Sequence, residues 1–149
     1  MNFEKTLVIV KPDSFSNRNI GKVISEFEVE NLRVIGAKML LLNEEEASEF
    51  YAEHLGKPFW EPLLDFMTSN PILVLAISGE NAIVRSRQLI GKTNPAIADP
   101  GTIRRKYASD NRHNAVHGSD SPESAKRELE FFFPDGEGIF SWEDKEYFL

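Results

Sequence analysis

The sequence has 149 residues, of which 41% are hydrophobic and 28% charged, so it is long enough to bury one substantial core. No repeat, low-complexity tract or shift in composition marks a second domain, and we therefore expect a single domain over residues 1–149. The absence of cysteine excludes disulfides, thiol nucleophiles and cysteine-ligated zinc, and the net charge of −7 argues against a general nucleic-acid binder.

The N-terminal part of the chain predicts a strand, a helix and a second strand. Residues 5–11 are β-branched and apolar and stop at a Pro-Asp turn. Apolar residues at helical spacing then predict an amphipathic helix from residue 20 to about residue 30, and residues 32–42 predict a long apolar strand. The first apolar run is far too short for a signal peptide or a membrane span, so we expect a cytoplasmic protein.

The middle of the chain predicts two helices and a third strand. Asn43 and the three glutamates after it supply a cap and an acidic first turn for a helix that runs to about residue 54. A second helical stretch, framed by prolines, runs from residue 58 through residue 67. Residues 71–78 are fully apolar and predict a buried strand.

The last third predicts a helix from about residue 81 to residue 90, a long irregular segment, a short strand and a final helix. The irregular segment, residues 93–113, is rich in Pro, Asn and Gly, and a connector of this length inside a compact domain is usually functional or disordered. Residues 114–117 form the short strand. Ser121 is the predicted N-cap of the final helix, with Pro122 at its first position.

This order of elements predicts an α+β sandwich of the ferredoxin-like βαββαβ kind, with a four-stranded antiparallel sheet, helices on one face and additional helices. In that plan the strand over residues 32–42 lies at a sheet edge, and a long apolar edge invites pairing. We expect a second subunit to cover it in a two-fold dimer that also uses the first helix near Val23 and Phe27. The alternative is a β-bulge at Gly36.

Charge is distributed unevenly along the chain. Residues 85–112 contain seven basic and two acidic side chains, so this segment carries a charge of +5 and the remainder −12. One interpretation is a solvated basic face. The other is a focused site for a small polyanion on an otherwise acidic protein.

Two familiar motifs are excluded. Gly91-Lys92-Thr93 is similar to the end of a P-loop, but Ser86 stands where that motif needs its first glycine, and the upstream residues predict a helix instead of a strand. His113 and His117 have the i, i+4 spacing of zinc ligands, but the residues between them are strand-like and no third ligand accompanies them. We therefore expect no metal bound by protein side chains.

The strongest candidate for chemistry is His117, at the end of the last predicted strand. On position alone, a structural histidine is the ordinary interpretation. Its neighbours favour a functional one, because Ser119 and Ser121 supply hydroxyls and the final helix points its free N–H groups at the same corner. Glu128 lies on the flank of that helix's apolar stripe and needs a polar partner, such as a hydroxyl or an imidazole. A neutral imidazole is a nucleophile as well as a base, and among cations its most natural electrophile is phosphorus, which gives a phosphohistidine.

Five motifs follow one another along the chain. They are Lys11-Pro-Asp, Tyr51 followed by Pro58-Phe59, Thr93-Asn-Pro, Pro100-Gly-Thr-Ile-Arg104, and Asn114-Ala-Val-His117-Gly-Ser119-Asp-Ser121. In their order and spacing they resemble the nucleoside diphosphate kinase family. The resemblance runs from about residue 5 to residue 132, and a variable tail from about residue 136 has no match.

The resemblance implies that His117 accepts the γ-phosphoryl group of a nucleoside triphosphate, typically ATP, and passes it to a different nucleoside diphosphate, which maintains nucleotide pools. The residues at positions that would hold phosphates and ribose are Lys11, Tyr51, Arg87, Thr93, Arg104 and Asn114. The resemblance also places Phe59 against the base, makes Ser119 and Glu128 orient the imidazole, and makes Nδ1 the phosphorylated nitrogen. It further implies Mg²⁺ as a cofactor carried by the nucleotide phosphates, and a dimer-based tetramer or hexamer.

Elementary chemistry agrees with these roles. Phosphoryl transfer depends mainly on positioning and charge neutralisation, and Lys11, Arg87 and Arg104 are suitable cations for three phosphate groups. The main alternative is a catalytically inactive ferredoxin-like binding or regulatory module, against which the combination of nucleophile, cations and carboxylate argues. Single residues also have structural alternatives, since Phe59 could be core and Tyr51 a packing residue on a helix face. No membrane and no specific nucleic acid are expected as partners.

Overall fold

The computed structural model describes residues 3–141, and these form a four-stranded sheet covered by helices. The strands are β1 (Phe3–Val10), β2 (Arg33–Leu40), β3 (Ile72–Glu80) and β4 (Val116–Gly118). The helices are α1 (Pro12–Ser16), α2 (Ile20–Glu28), α3 (Glu44–Phe50), α4 (Trp60–Met67), α5 (Ala82–Ile90), α6 (Ile103–Tyr107) and α7 (Pro122–Phe132). Short 3-10 turns lie at Ala52–His54 and Pro134–Gly136. Within residues 3–141, no helix is long and apolar enough to cross a membrane.

The strands are antiparallel and lie in the order β2-β3-β1-β4, which confirms the predicted α+β, ferredoxin-like plan. The long β1 and β3 occupy the centre, and their apolar runs, residues 7–10 and 72–77, are buried because both faces of the sheet are covered there. The short β4 pairs with the C-terminal end of β1, so that His117 lies opposite Ile9. This edge of the sheet carries the candidate site.

Helices cover both faces of the sheet, so the prediction of helices on one face is wrong. Alternate residues of β1 belong to different clusters, with Leu7 and Ile9 in one and Val8 and Val10 in the other. The first cluster includes buried side chains from α3, α4 and α7, and the second includes side chains from α2, α5 and α6. The helices α3 and α4, which lie between β2 and β3, form this second layer together with α7. The predicted βαββαβ plan has helices on one face only.

Local boundaries differ from the prediction in four places. The predicted Pro-Asp turn after β1 is the helix α1, and the segment over residues 93–113 contains the helix α6, which Thr102 caps by accepting from the Arg105 N–H. The helix expected to reach residue 54 ends at Phe50 and is followed by a 3-10 turn. The last strand begins at Val116, two residues later than predicted.

The exposed edge of β2 is interrupted and partly covered by the chain itself, which differs from the prediction of a partner subunit. Its register against β3 shifts between Val34 and Gly36, as at a β-bulge, which was the alternative interpretation. The chain's own tail also reaches this edge, because the Phe140 N–H donates to the Ile35 carbonyl at 2.9 Å. The first helix does not offer Val23 and Phe27 to a partner, since both side chains are fully buried in the core. The rest of the predicted tail, residues 142–149, lies outside the described residues.

Candidate active site

His117 lies in β4 with its imidazole held against the last helix. Its Nε2 is 2.5 Å from Oε1 of Glu128, which projects from the inner face of α7 and is buried. The Phe50 ring packs edge-on to the imidazole, with ring centroids 6.0 Å apart. The side chain of His117 is still 25% exposed, so a ligand can reach it. The expected polar partner of Glu128 is therefore this imidazole.

Ser119 completes the support of the carboxylate. Its hydroxyl donates to Oε1 of Glu128 at 3.1 Å and accepts from the Leu7 N–H at 3.4 Å. One buried carboxylate oxygen thus contacts both the hydroxyl and the imidazole, which satisfies a group that would be costly to bury alone. Among the hydrogen bonds of residues 3–141, none involves Nδ1 of His117, so that nitrogen is available for chemistry.

The glycine after His117 lets the Ile90 side chain of α5 approach the strand closely. A Cβ on Gly118 would lie 2.6 Å from Cδ1 of Ile90, well inside van der Waals contact. The Gly118 carbonyl accepts a hydrogen bond from the guanidinium of Arg87 at 3.1 Å. This close approach brings an exposed cation of α5 next to the strand of His117.

Lys11 is the cation at the C-terminal end of β1. It is only 8% exposed, and its ammonium donates to Oδ1 of Asn114 at 2.7 Å. The Asn114 amide is itself oriented, because Nδ2 donates to the Asn111 carbonyl at 3.0 Å. Burial and then the nearby charge of Arg104 lower the pKa of Lys11 to about 8. The ammonium is therefore poised to gain from any anion that binds beside it.

Arg104 is the cation supplied by α6, the helix that the sequence did not reveal. Its buried guanidinium donates to the carbonyls of Gly91 at 3.1 Å, Asn114 at 3.3 Å and Val116 at 2.9 Å. Burial and the charge of Arg87 lower its pKa to about 10, so it remains a cation at neutral pH. Arg104 thus joins the end of α5 to the strand that carries His117.

Tyr51 joins Phe50, the ring that packs on the imidazole, to a second group of rings. It is buried, it meets Phe50 edge-on at 4.8 Å, and it stacks on His54 at 6.2 Å. Its hydroxyl is buried without a hydrogen-bond partner in the described part of the chain. Burial and then the charge of Glu128 raise the pKa of the Tyr51 phenol well above its ordinary value. A buried donor without a partner among the described residues is suited to a ligand oxygen.

Phe59 extends this aromatic group towards solvent. It is 41% exposed, so the alternative that it is a core residue is wrong. The His54 ring lies 5.3 Å from it, and the Lys57 ammonium lies 5.7 Å from its centroid and 3.1 Å from Nδ1 of His54. Phe50, His54 and Lys57 were missed in the sequence. The i, i+3 spacing of His54 and Lys57 was the available signal, but it is too common to single them out.

Not every predicted residue is drawn into this network. Thr93 is exposed, and no hydrogen bond of its side chain occurs within residues 3–141. Arg87 is also exposed, and its contact with the site is the hydrogen bond to the Gly118 carbonyl together with its charge near Arg104. No group of three or more His, Asp or Glu side chains in the described chain could hold a metal ion.

Comparison with known proteins identifies the group to which this arrangement belongs. Residues 4–138 match the family model described as nucleoside diphosphate kinase. "Nucleoside diphosphate kinase 2" of Protochlamydia amoebophila is 48% identical over 133 residues, which cover 89% of this chain and 93% of that protein.

Two solved structures have the same fold. The nucleoside diphosphate kinase of Aquifex aeolicus superposes with a TM-score of 0.90 at 40% identity, covering 93% of this chain and 99% of its own. That of Halobacterium salinarum, solved in complex with CDP, has a TM-score of 0.90 at 39% identity, covering 94% and 93%. This chain therefore belongs to the nucleoside diphosphate kinase family of phosphotransferases.

Proposed function

We propose that this kinase works in two steps through a phosphohistidine at Nδ1 of His117. The observation that carries the proposal is the contact between Nε2 of His117 and Glu128, which occupies one ring nitrogen and leaves the other without a partner among the described residues. A carboxylate that accepts from Nε2–H keeps the lone pair on Nδ1 and holds the ring in one orientation. This is the arrangement that a nucleophilic imidazole needs.

In the first step, the Nδ1 lone pair forms a bond to the γ-phosphorus of a nucleoside triphosphate. The bond from that phosphorus to the bridging oxygen breaks, and its electron pair leaves with the nucleoside diphosphate. A second nucleoside diphosphate then attacks phosphohistidine by the reverse of this step. Ser119 supports the carboxylate and stays outside the bond changes.

The phosphates are proposed to lie against the cationic side chains. Lys11 and Arg104 are buried beside the strand of His117, and Arg87 approaches it from α5. Fixed cations of this kind stabilise the charge that develops on a transferring phosphoryl group. The residues proposed to complete phosphate and ribose binding are Tyr51, Thr93 and Asn114.

Mg²⁺ is proposed to arrive with the nucleotide. The described residues offer no carboxylate cluster, so they fit a metal ion held by phosphate oxygens better than a protein cage. The bound ion would supply further neutralisation of phosphate charge. The phosphates would still be held and oriented by Lys11, Arg87 and Arg104.

The base is proposed to lie on Phe59, whose half-exposed ring stands at the outer end of the aromatic group. The CDP complex of the Halobacterium relative supports nucleotides as ligands. The alternative of an inactive binding module has no support, because the relatives reported above are all named as kinases. We place the protein in the cytoplasm, a compartment that supplies nucleoside triphosphates, and cell fractionation tests that placement.

Incubation with γ-labelled ATP and Mg²⁺ tests the mechanism. We expect base-stable, acid-labile label on the protein, which distinguishes phosphohistidine from phosphoserine at Ser119 or Ser121. His117→Asn should abolish labelling and exchange with the fold intact, because Asn lacks a nucleophilic ring nitrogen. The matched control is His113→Asn, which removes an exposed imidazole and should retain both. Exchange by His117→Asn within tenfold of the parent would refute the mechanism.

A homo-oligomer built from dimers, tetrameric or hexameric, is also proposed, with β2 at the contact. Met39 and Leu41 remain more than half exposed beside the part of β2 that the chain's own tail touches. Sedimentation equilibrium at micromolar protein should show a species larger than the monomer. Ala37→Pro, which removes an N–H from β2, should dissociate or unfold it, and Met39→Lys should weaken it with the backbone intact. A fully active monomer would contradict the proposal.

A further inference from the structure

The backbone just before the nucleophile has an unusual conformation. Ala115 has a φ of +72°, in the left-handed region that residues with a Cβ rarely occupy. The Val116 N–H donates to the Asn114 carbonyl at 2.8 Å, which closes a three-residue γ-turn around Ala115. A γ-turn with positive φ is rare and strained, and it persists only where surrounding contacts impose it.

This γ-turn joins the parts of the site that must be aligned. Asn114, at its start, holds the Lys11 ammonium through its side chain and Arg104 through its carbonyl. Val116, at its end, opens β4 by pairing with Val10, and His117 follows directly. A change of conformation at Ala115 would therefore move the cations and the nucleophile relative to one another.

Both polar backbone groups of Ala115 are held by the segment after β1. The Ala115 N–H donates to Oδ2 of Asp13 at 2.9 Å. The Ala115 carbonyl accepts from the Ser14 hydroxyl at 2.8 Å and from the Lys11 N–H at 2.9 Å. Asp13 and Ser14 are both buried, so water cannot easily replace them.

Asp13 is a costly residue to place here. Burial raises the pKa of its carboxyl, and the hydrogen bond from Ala115 opposes that rise. Its other oxygen, Oδ1, is buried with no hydrogen-bond partner within residues 3–141. A buried carboxylate with one oxygen unpaired is unfavourable for stability, which suggests that the contact with Ala115 serves the site.

We propose that Asp13 is a positioning residue for phosphoryl transfer, whose carboxylate, helped by the Ser14 hydroxyl, holds Ala115 in the γ-turn that aligns Asn114 and its bound cations with His117. The inference rests on the proposed role of His117 as the nucleophile. Asp13 touches none of the reacting atoms in this scheme. It acts on the site through the Ala115 backbone, and its charge in addition raises the pKa of the nearby Lys11.

The test combines removal of the carboxylate with relief of the strain. Asp13→Ala should slow the phosphorylation of His117 by about tenfold to a hundredfold, because a misplacement of about 1 Å can cost ~10² in rate. Asp13→Asn keeps an acceptor oxygen for the Ala115 N–H, so its loss should be at least several-fold smaller. Single-turnover labelling of folded protein, below its melting temperature, measures both.

Ala115→Gly provides the rescue, since glycine adopts positive φ without a steric penalty. If Asp13→Ala alone lowers the rate of His117 phosphorylation a hundredfold, the double variant with Ala115→Gly should be at least tenfold faster than Asp13→Ala. The reason is that the γ-turn no longer needs the carboxylate. Asn31→Gly is the matched control, because Asn31 also has positive φ, 59°, but is exposed and far along the chain from the site. It should leave the rate of Asp13→Ala unchanged.

Three outcomes would overturn the inference: an Asp13→Ala rate within twofold of the parent, no rescue by Ala115→Gly, or equal rescue by Asn31→Gly. An equal loss in Asp13→Asn and Asp13→Ala would assign the effect to charge and also overturn it. If Asp13→Ala does not fold, the two double variants are compared by whether they unfold cooperatively. Addition of Ala115→Gly should restore cooperative unfolding, and addition of Asn31→Gly should not. Failure of the proposed function is separate, because the unmodified protein would then carry no label on His117.

Discussion

The two ends of the candidate site are built differently. At the proposed phosphate end, Lys11, Arg104 and Asn114 are 8%, 4% and 3% exposed, and each is fixed by hydrogen bonds to backbone or side chains. At the base end, Phe59 is 41% exposed, and its polar neighbour Lys57 is exposed as well. One end is rigid and desolvated, and the other is open to solvent.

The difference follows from what each end has to recognise. Every nucleoside triphosphate presents the same phosphates, and their charge must be neutralised in a defined geometry, for which buried and pre-oriented donors are most effective. Bases differ in their hydrogen-bonding edges but all have a π-face, so an exposed ring binds them without distinction. We therefore expect mutations at the phosphate end to change the rate, and mutations at the base end to change only affinity.

The largest effect is expected at the phosphate end. Arg104→Ala and Lys11→Ala should each reduce the rate of phosphoryl transfer by ~10² to 10³, the usual cost of a lost charge-stabilising contact. Rapid-quench measurement of the phosphohistidine at saturating ATP gives this rate. If both variants changed only the KM for the nucleotide, the two ends of the site would be equivalent and the comparison would fail.

Arg105→Ala is a suitable control for these variants. Arg105 lies next to Arg104 in α6, but it is exposed. Its guanidinium donates to the Ala96 carbonyl and not to the carbonyls that Arg104 contacts. It removes the same charge from the same helix, so it should retain a rate near that of the parent. A loss equal to that of Arg104→Ala would point to general electrostatics instead of the buried contact.

The second effect is a pH dependence that comes from Lys11. Its pKa is lowered from 10.5 to about 8, so the ammonium is present below pH 7 and is lost as the pH rises through 8. The value of kcat/KM, which reports the free enzyme, should then fall about tenfold between pH 8 and pH 9 or 9.5. In Lys11→Arg the side chain stays cationic, so kcat/KM should not change with pH over this range, whatever its absolute value.

Stability should move in the opposite direction over the same range. Because the pKa of Lys11 is lower in the folded protein, the unfolded chain binds more protons between pH 8 and 10.5. The contribution of this residue to the free energy of unfolding therefore increases as the pH rises. Urea denaturation at pH 7.5 and pH 9 should show that the free energy of unfolding increases in the parent and not in Lys11→Ala. If it changes with pH by the same amount in both proteins, the loss of activity belongs to another group.

The fold was predictable where its signals are local and repeated. Continuous apolar runs predicted β1, β2 and β3, apolar spacing predicted α2 and α5, and the Ser121 cap followed by Pro122 predicted the start of α7. The layer on the second face of the sheet was missed, although the fully apolar run of β3 is the mark of a strand covered on both sides. The short helices α1 and α6 have only five residues each, too few for a periodic signal.

Sequence reasoning proposed residues that the structure brings together at one edge of the sheet, but it did not reveal Phe50, His54 and Lys57 or how the site is built. Resemblance and chemistry together selected His117 and Glu128, and helical geometry correctly brought the carboxylate inward. The sequence could not show that Arg104 reaches three backbone carbonyls, because those contacts depend on how α6 packs against the end of α5 and against β4. Nor could it show the turn at Ala115, since alanine carries no signal of positive φ and only contacts from a distant segment impose it.

The smallest effect is expected at the base end, where it sharpens the comparison most. Phe59→Ala removes a half-exposed stacking ring, and we expect a loss of about 1 kcal/mol, the lower limit for base stacking, or about fivefold in KM. The loss should be the same for purine and pyrimidine nucleotides, with the rate of His117 phosphorylation at saturation unchanged. Phe3→Ala, which removes an exposed ring at the start of β1, is the matched control and should change neither quantity. A loss confined to one base would show recognition of a base edge, and a fall in the saturated rate would show that the base end also aligns the phosphates.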